Sequence, residues 1–347
     1  MLKDQVLQAL SQVNDPELHR SLTDLNMVRE VEVHDEAVDV TIALTVPNCP
    51  LKSQIEADVK KAVGSLPGVS QVNVHMTAMT DEERKAIFGE KQEGVALEYN
   101  HIGRVVAVMS GKGGVGKSLV TALLASALAR QGLRAGVLDA DITGPSIPKL
   151  FGVRGPVSGA PVGLRPPQSE AGVKLMSLNL LLESDDQPVV WRGPLIGKAI
   201  TQLWGDVFWG DLDYLLVDLP PGTADAALTT MQSLPLDGIV MVTTPQSLAS
   251  MIVRKAVHMA QMVKVSIVGV VENMAYFVCP DTGKRHEIFG PSHAFEVAQA
   301  AYAPLLAQLP IDPTVAPRCD AGQVESIELA ELPAMVAAFI KAVPVTR

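Results

Sequence analysis

Cysteine is scarce in this chain: Cys49, Cys279 and Cys319 are its 3 cysteines. They are odd in number and far apart, which argues against a disulfide framework. Aromatic residues make up only 4% of the composition, a poor fit to an aromatic-rich β-sandwich. Alanine, valine and leucine carry the apolar load instead, which suits a parallel sheet covered by helices. No basic run occurs, and the formal net charge is −10. Duplex binding without sequence preference needs clustered positive charge to release counterions. A broad surface for nucleic acid or for an anionic membrane is therefore not expected. No apolar run approaches the roughly 20 residues of a membrane span. The opening stretch MLKDQVLQALSQ lacks the long apolar core of a secretory signal. These absences lead to the expectation of a soluble protein in a reducing cytoplasm, without nucleic-acid or membrane partners.

What is present suggests two domains. The chain has 347 residues, 48% of them hydrophobic and 19% charged, enough to bury a sizeable core. Residues 1–80 form a short mixed unit. LKDQVLQALSQV carries Leu2, Val6, Leu10 and Val13 near one helical face. MVREVEVHD and AVDVTIALTV alternate apolar and polar residues, as strands over one core do. CPLKSQIEADVKKAV reads as a second amphipathic helix, and GVSQVNVHM as a third strand. Residues 81–102 are charged and lack a sustained period, and are expected to link this small α+β domain to residues 103–347. From Arg104 onward short, nearly continuous apolar runs recur: RVVAVMS, AGVLDAD, VKLMSL, YLLVDLP, GIVMVTTP and VGVVENM. Continuous runs imply strands buried on both faces of a parallel sheet with crossover helices, an α/β domain. Ligands of such sheets bind at the carboxyl ends of the strands.

The most informative string is SGKGGVGKSLVT, which contains G-x-x-x-x-G-K-S from Gly111 to Ser118. It lies between an expected strand and an expected helix, the context a phosphate-binding P-loop needs. Gly111, Gly113, Gly114 and Gly116, with Val115 between the last two, let backbone N–H groups converge on phosphate oxygens at a helix N-terminus. Lys117 is placed to reach β- and γ-phosphates, and Ser118 to coordinate Mg²⁺. AGVLDAD ends a strand at Asp139 and continues to Asp141, and YLLVDLP ends another at Asp218. Asp218 is expected to hold the Mg²⁺ water shell, and Asp141 to orient the attacking water. Asp139 is read equally well as a helix cap. A second lysine, Lys112, points out of the loop; it is either a solvated surface lysine or a cation supplied to a second subunit's nucleotide.

Lys112-Gly113-Gly114-Val115-Gly116-Lys117-Ser118 resembles the deviant Walker A class, in which the extra lysine reaches across a dimer. SGKGGVGKS, DADITGPSIPKLFG, VVWRGPLIGKAITQ, DYLLVDLPPGTAD, VENMAYFVCPDTGKRHEIFG and APRCDAG are similar to the Mrp/ApbC iron–sulfur carriers within that class. NDPELHRSLTDLNMV and LTVPNCP resemble the small MIP18-like domain associated with iron–sulfur assembly. The resemblance implies a homodimeric ATPase using ATP and Mg²⁺. Its cargo would be an iron–sulfur cluster passed to apoproteins, with assembly scaffold proteins as further partners. It also implies that Asn273 recognises adenine, although an asparagine after a buried strand is a common turn residue. The family cluster site is a Cys-x-x-Cys from each of two subunits, bridging a 4Fe–4S cluster. Here the string is Cys279-Pro280-Asp281-Thr282, with the second cysteine missing. Asp281, His286, an external thiol or another cysteine could supply the deficit; equally, Cys279 could be inert and no stable cluster form. Cys49, between an expected strand and helix, is read either as a cluster-handling thiolate or as a small buried filler; Cys319 is read as structural. Two other readings keep the same nucleotide core. A septum-site or chromosome-partition (MinD/ParA-like) positioning ATPase would bind membrane or DNA, but the tail ELAELPAMVAAFIKAVPVTR has few basic residues and is interrupted by Pro333 and Pro344. An ATP-dependent ligase would need a substrate pocket for which no string is evident.

Overall fold

The computed structural model describes residues 2–16, 18, 20–45, 51–80, 83, 95–142, 144–155, 157–160, 162–181, 193–222, 225–246 and 249–345. Contacts divide the chain into two compact units, Met1–Val95 with Gly159–Leu164, and Ala96–Ser158 with Arg165–Arg347.

The first unit runs α1 (Leu2–Leu10), β1 (Val28–His34), β2 (Ala37–Leu44), α2 (Lys52–Gly64) and β3 (Gln71–Ala78). β1 and β2 pair antiparallel across a tight turn in which Asp35 takes a positive φ of 52°. β3 returns parallel to β2, from Ala37 opposite Gln71 to Leu44 opposite Ala78. Alternate residues of β2, Val38, Val40 and Ile42, are buried. So are Val6 and Leu10 of α1, and Ile55, Val59 and Val63 of α2 at helical spacing. This is the α+β unit that the alternating strands led one to expect.

The rest of the chain adds β4 (His101–Ser110), α3 (Lys117–Arg130), β5 (Ala135–Asp139), α4 (Ile147–Leu150), β6 (Ser158–Ala160), β7 (Gly163–Arg165) and β8 (Lys174–Ser177). Then come α5 (Gly193–Gly205), β9 (Asp211–Asp218), α6 (Asp225–Gln232), β10 (Gly238–Thr243), α7 (Ala249–Met262) and β11 (Ile267–Glu272). β12 (Phe277–Val278), β13 (Arg285–His286), α8 (Ala294–Ala300), β14 (Leu305–Gln308), α9 (Val315–Asp320) and α10 (Leu332–Ala342) complete it. A 7-stranded sheet has the order β14-β11-β10-β4-β9-β5-β8, and every neighbouring pair is parallel. Every residue of β5 and β10 is buried, as continuous apolar runs require. The chain leaves β4 toward β5 on one side and later fills β10, β11 and β14 on the other. The crevice of such a sheet opens where that direction reverses, at the carboxyl end of β4.

The apolar runs noted in the sequence became β4, β5, β8, β9, β10 and β11; the edge strand β14, only 4 residues long, was not among them. The C-terminal prolines do not interrupt α10. Pro333 lies in its first turn, where a missing N–H costs no helical bond, and Pro344 follows its end. Leu332, Met335, Val336 and Phe339 of α10 are buried, and the helix packs on α3. Phe339 meets Tyr214 of β9 at 5.2 Å between ring centroids, and Tyr214 Oη donates to the Val343 carbonyl at 2.7 Å. Among the described residues no helix is long and apolar enough to cross a membrane.

Candidate functional site

The loop between β4 and α3 turns at Gly114 and Gly116, whose φ angles are 75° and 81°. Residues with a Cβ are strained in that left-handed region. Gly116 is doubly constrained, because a Cβ there would collide with the Asn273 amide. The Ser110 hydroxyl donates to the Lys112 carbonyl at 2.9 Å and braces the start of the loop.

Lys117 opens α3 and is 6% exposed; Asp218 ends β9 and is 0% exposed. Lys117 Nζ lies 2.7 Å from Asp218 Oδ1. The Ser118 hydroxyl donates to Asp218 Oδ2 at 2.5 Å. Thr121 Oγ1 lies 2.9 Å from Asp218 Oδ1 and 3.0 Å from the Lys117 carbonyl, one hydroxyl proton shared between two acceptors. Burial pushes the Asp218 carboxyl above its usual range, and Lys117, Ser118 and Thr121 oppose that shift. Thr121 escaped notice in the sequence. Its signal was there, since it follows Lys117 by one helical turn and so shares its face.

Asp139 ends β5 directly beside Asp218 in the sheet register. Burial first, and the Asp218 charge second, push its carboxyl up. Its oxygens accept from the backbone N–H groups of Asp141 at 3.1 Å, Ser146 at 3.0 Å and Ile147 at 3.1 Å. Asp139 thus anchors the turn leading to α4. Asp141 lies in that turn, 8% exposed, and accepts from the Gly144 N–H at 3.2 Å.

Lys112 Nζ donates to Gln246 Oε1, in the segment after β10 of the same chain. Nothing in the sequence pointed to Gln246. Asn273, just past β11, is 3% exposed, and its Nδ2 donates to the Val115 carbonyl at 2.9 Å. The expected site residues from Gly111 to Ser118, with Asp218 and Asn273, therefore share one locale around the mouth of β4. Ser118 and Asp218 offer hydroxyl and carboxylate oxygens at 2.5 Å from each other, a donor set that fits a hard divalent cation such as Mg²⁺.

Cys279 sits in the hairpin loop between β12 and β13, half-buried. The Thr282 hydroxyl hydrogen-bonds its sulfur, the N–H groups of Thr282 and Asp281 add to this, and its thiol is held below the usual range. Among the described residues no group of three or more His, Cys, Asp and Glu side chains could hold a metal ion. Cys49 lies outside the described residues. Cys319, in α9, packs partly buried against the sheet core, and burial followed by the Asp320 charge pushes its thiol up.

Residues 101–343 match the family described as NUBPL iron-transfer P-loop NTPase. The chain belongs to this family. Residues 3–75 match a second family, described as iron-sulfur cluster assembly protein. An iron-sulfur cluster carrier protein of Synechocystis is 42% identical across 89% of this chain and 87% of its own length. A protein of the same name from Deinococcus radiodurans is 42% identical across 92% of this chain and 88% of its own. Among solved structures, a nucleotide-binding protein from Archaeoglobus fulgidus in complex with ADP is 45% identical. It covers 73% of this chain and 95% of its own, with a TM-score of 0.61. The cell division ATPase MinD of Pyrococcus furiosus, at 21% identity and a TM-score of 0.52, shares the fold. The family resemblance carried by the quoted motifs is borne out. The iron-transfer NTPase domain is built on the all-parallel sheet, and its P-loop is the segment that closes on Asp218.

Proposed function

We propose that this protein is an ATP-hydrolysing iron–sulfur cluster carrier that acts as a homodimer and passes clusters to apoproteins. The observation that carries the ATPase half is the buried meeting of Lys117, Ser118 and Asp218 at the mouth of β4. The cargo half is supported by the family and by the names of relatives spanning most of the chain. Loop N–H groups and Lys117 bind the β- and γ-phosphates of ATP. Ser118 and Asp218 hold Mg²⁺, which when bound neutralises charge on the phosphates. Asp141 orients a water for attack on the γ-phosphorus; the bond to the β-phosphate oxygen breaks, leaving ADP and phosphate. Lys112 supplies a cation to the partner subunit's nucleotide, and must first leave Gln246 of its own chain. Cys279 is the cluster-facing thiol, and a thiolate-favouring loop suits it to bind iron. With Thr282 in place of a second cysteine, a dimer offers two thiolates from these loops, which favours a cluster that is readily given up. No nucleic-acid or membrane partner forms part of this reading, and the burial of α10 disfavours a membrane-bound positioning ATPase.

Two measurements test it. Lys112→Ala should bind Mg-ATP as the wild type does while hydrolysis falls on the order of 100-fold; wild-type turnover would remove the trans role. Anaerobic reconstitution with iron and sulfide should give a visible cluster absorption that Cys279→Ala loses. Equal loading of both chains would defeat the cargo assignment to this loop.

A further inference from the structure

The ends of two quoted motifs, DADITGPSIPKLFG and APRCDAG, meet in the structure. Each closes a helix at a glycine: Gly152 follows α4 with φ at 67°, and Gly322 follows α9 with φ at 73°. The Gly152 N–H donates to the Lys149 carbonyl at 3.1 Å, and the Val153 N–H to the Pro148 carbonyl at 2.9 Å. The Gly322 N–H donates to the Cys319 carbonyl at 3.0 Å, and the Gln323 N–H to the Arg318 carbonyl at 2.8 Å. Both helices thus end in the same left-handed glycine cap, and the two caps lie back to back. A Cβ on Gly322 would collide with Gly152 Cα and sit 2.7 Å from its nitrogen; one on Gly152 would sit 2.9 Å from the Gly322 carbonyl oxygen. The obstruction is backbone, which cannot rotate aside as a side chain can. Gly132 caps α3 in the same way, with φ at 76°, but faces open space. The Gly322 side is anchored. Arg130, in the last turn of α3, donates to the Ile327 carbonyl at 2.9 Å and to the Glu325 carbonyl, and Val324 and Ile327 are buried. The Gly152 side leads to the site. The N–H groups of Ser146 and Ile147, at the start of α4, hold the Asp139 carboxylate, and the turn bearing Asp141 is strung between Asp139 and α4.

We propose that Gly322 is a positioning residue for ATP hydrolysis: its contact with Gly152 seats α4 and so holds the turn that carries Asp141. It rests on the reading above, in which Asp141 orients the attacking water. A side chain at Gly322 would push α4 away from α9 and drag the Asp141 turn with it. A misplacement of about 1 Å, caused far from the chemistry, can cost roughly 100-fold in rate. Neither cap belongs to the phosphate loop, so turnover and nucleotide affinity should separate.

The test uses the full chain and compares Gly322→Ala with Gly132→Ala, which incurs the left-handed strain of a capped glycine without the collision. Gly152→Ala, with the milder clash, carries the test if Gly322→Ala does not fold. Unfolding midpoints verify that each variant is folded at the assay temperature. Steady-state kinetics give kcat and KM for ATP, and calorimetry gives the affinity for Mg-ADP. Positioning predicts that kcat falls by roughly 10- to 100-fold in the cap-contact variants, with KM and Mg-ADP affinity unchanged, and that Gly132→Ala keeps the wild-type kcat whatever stability it loses. Hydrogen exchange at the Ser146 and Ile147 amides should quicken in Gly322→Ala and not in Gly132→Ala. Wild-type kcat in the folded cap-contact variants would overturn the proposal, as would an equal fall in Gly132→Ala or a loss of Mg-ADP affinity that matches the loss of kcat. Asp141→Asn is measured alongside: wild-type turnover there would remove the reading of Asp141 itself, whereas a dead Asp141→Asn beside a fully active Gly322→Ala would remove only the role of the cap contact.

Discussion

Asp218 takes its side-chain donors from the first turns of a single helix. Lys117 and Ser118 were legible because the P-loop pattern prescribes them, and Asp218 because it ends an apolar run. Thr121 and Gln246 were not, because their roles depend on partners that only the fold brings near. The same holds for Thr282. In the sequence it is the place where a cysteine is missing; in the structure its hydroxyl is the largest influence lowering the Cys279 thiol. The thiolate is the reactive form, so a lowered pKa means reactivity that appears at lower pH and is lost only as pH falls further. Alkylation of Cys279 by iodoacetamide should rise with pH around a midpoint below the ~8.5 of a free cysteine. Cys319, shifted the other way, should react more slowly throughout. Thr282→Val should move the Cys279 midpoint up toward the free value. Peptide mapping by mass spectrometry reads all three, and one shared midpoint for the two cysteines would contradict the loop geometry.

At the scale of elements, legibility followed hydrophobic length. β9 and β10 announced themselves as unbroken apolar runs, whereas β14, LLAQ, is too short and too mixed to stand out. β12 and β13, of 2 residues each, carry no period at all. The tail helix α10 has a mostly apolar sequence, but its partner could not be read there, since Tyr214 lies far away in sequence. Phe339 is fully buried against that ring, in a core that also takes in α3, the helix that begins at Lys117. Phe339→Ala should cost about 3–5 kcal/mol in urea unfolding, the usual range for emptying an aromatic site in a core. A loss below about 1 kcal/mol, the common size for a surface change, would mean that α10 is not part of that core.

At the scale of the whole molecule, two textures of strand correspond to two kinds of sheet. Alternating burial in β2 goes with a sheet covered on one face, and continuous burial in β9 with one covered on both. The larger unit has its own sheet and its own buried core. A fragment from Ala96 to Arg347 should unfold cooperatively, and its melting temperature should rise with Mg-ADP, as binding to the folded state requires. An aggregated fragment would show that these residues do not fold by themselves, and a melting temperature indifferent to Mg-ADP would count against nucleotide binding.

The ion pair between Lys117 and Asp218 has one last consequence. Because Lys117 and Ser118 already have a buried carboxylate to bind, an arriving triphosphate meets a neutralised pair and not a bare cation. On the proposed reading, ligand entry would be a swap, in which the lysine trades one anion for another and the aspartate is freed for a metal. The heat released on loading will be the difference between two well-matched arrangements, smaller than a tally of the phosphate contacts alone would suggest.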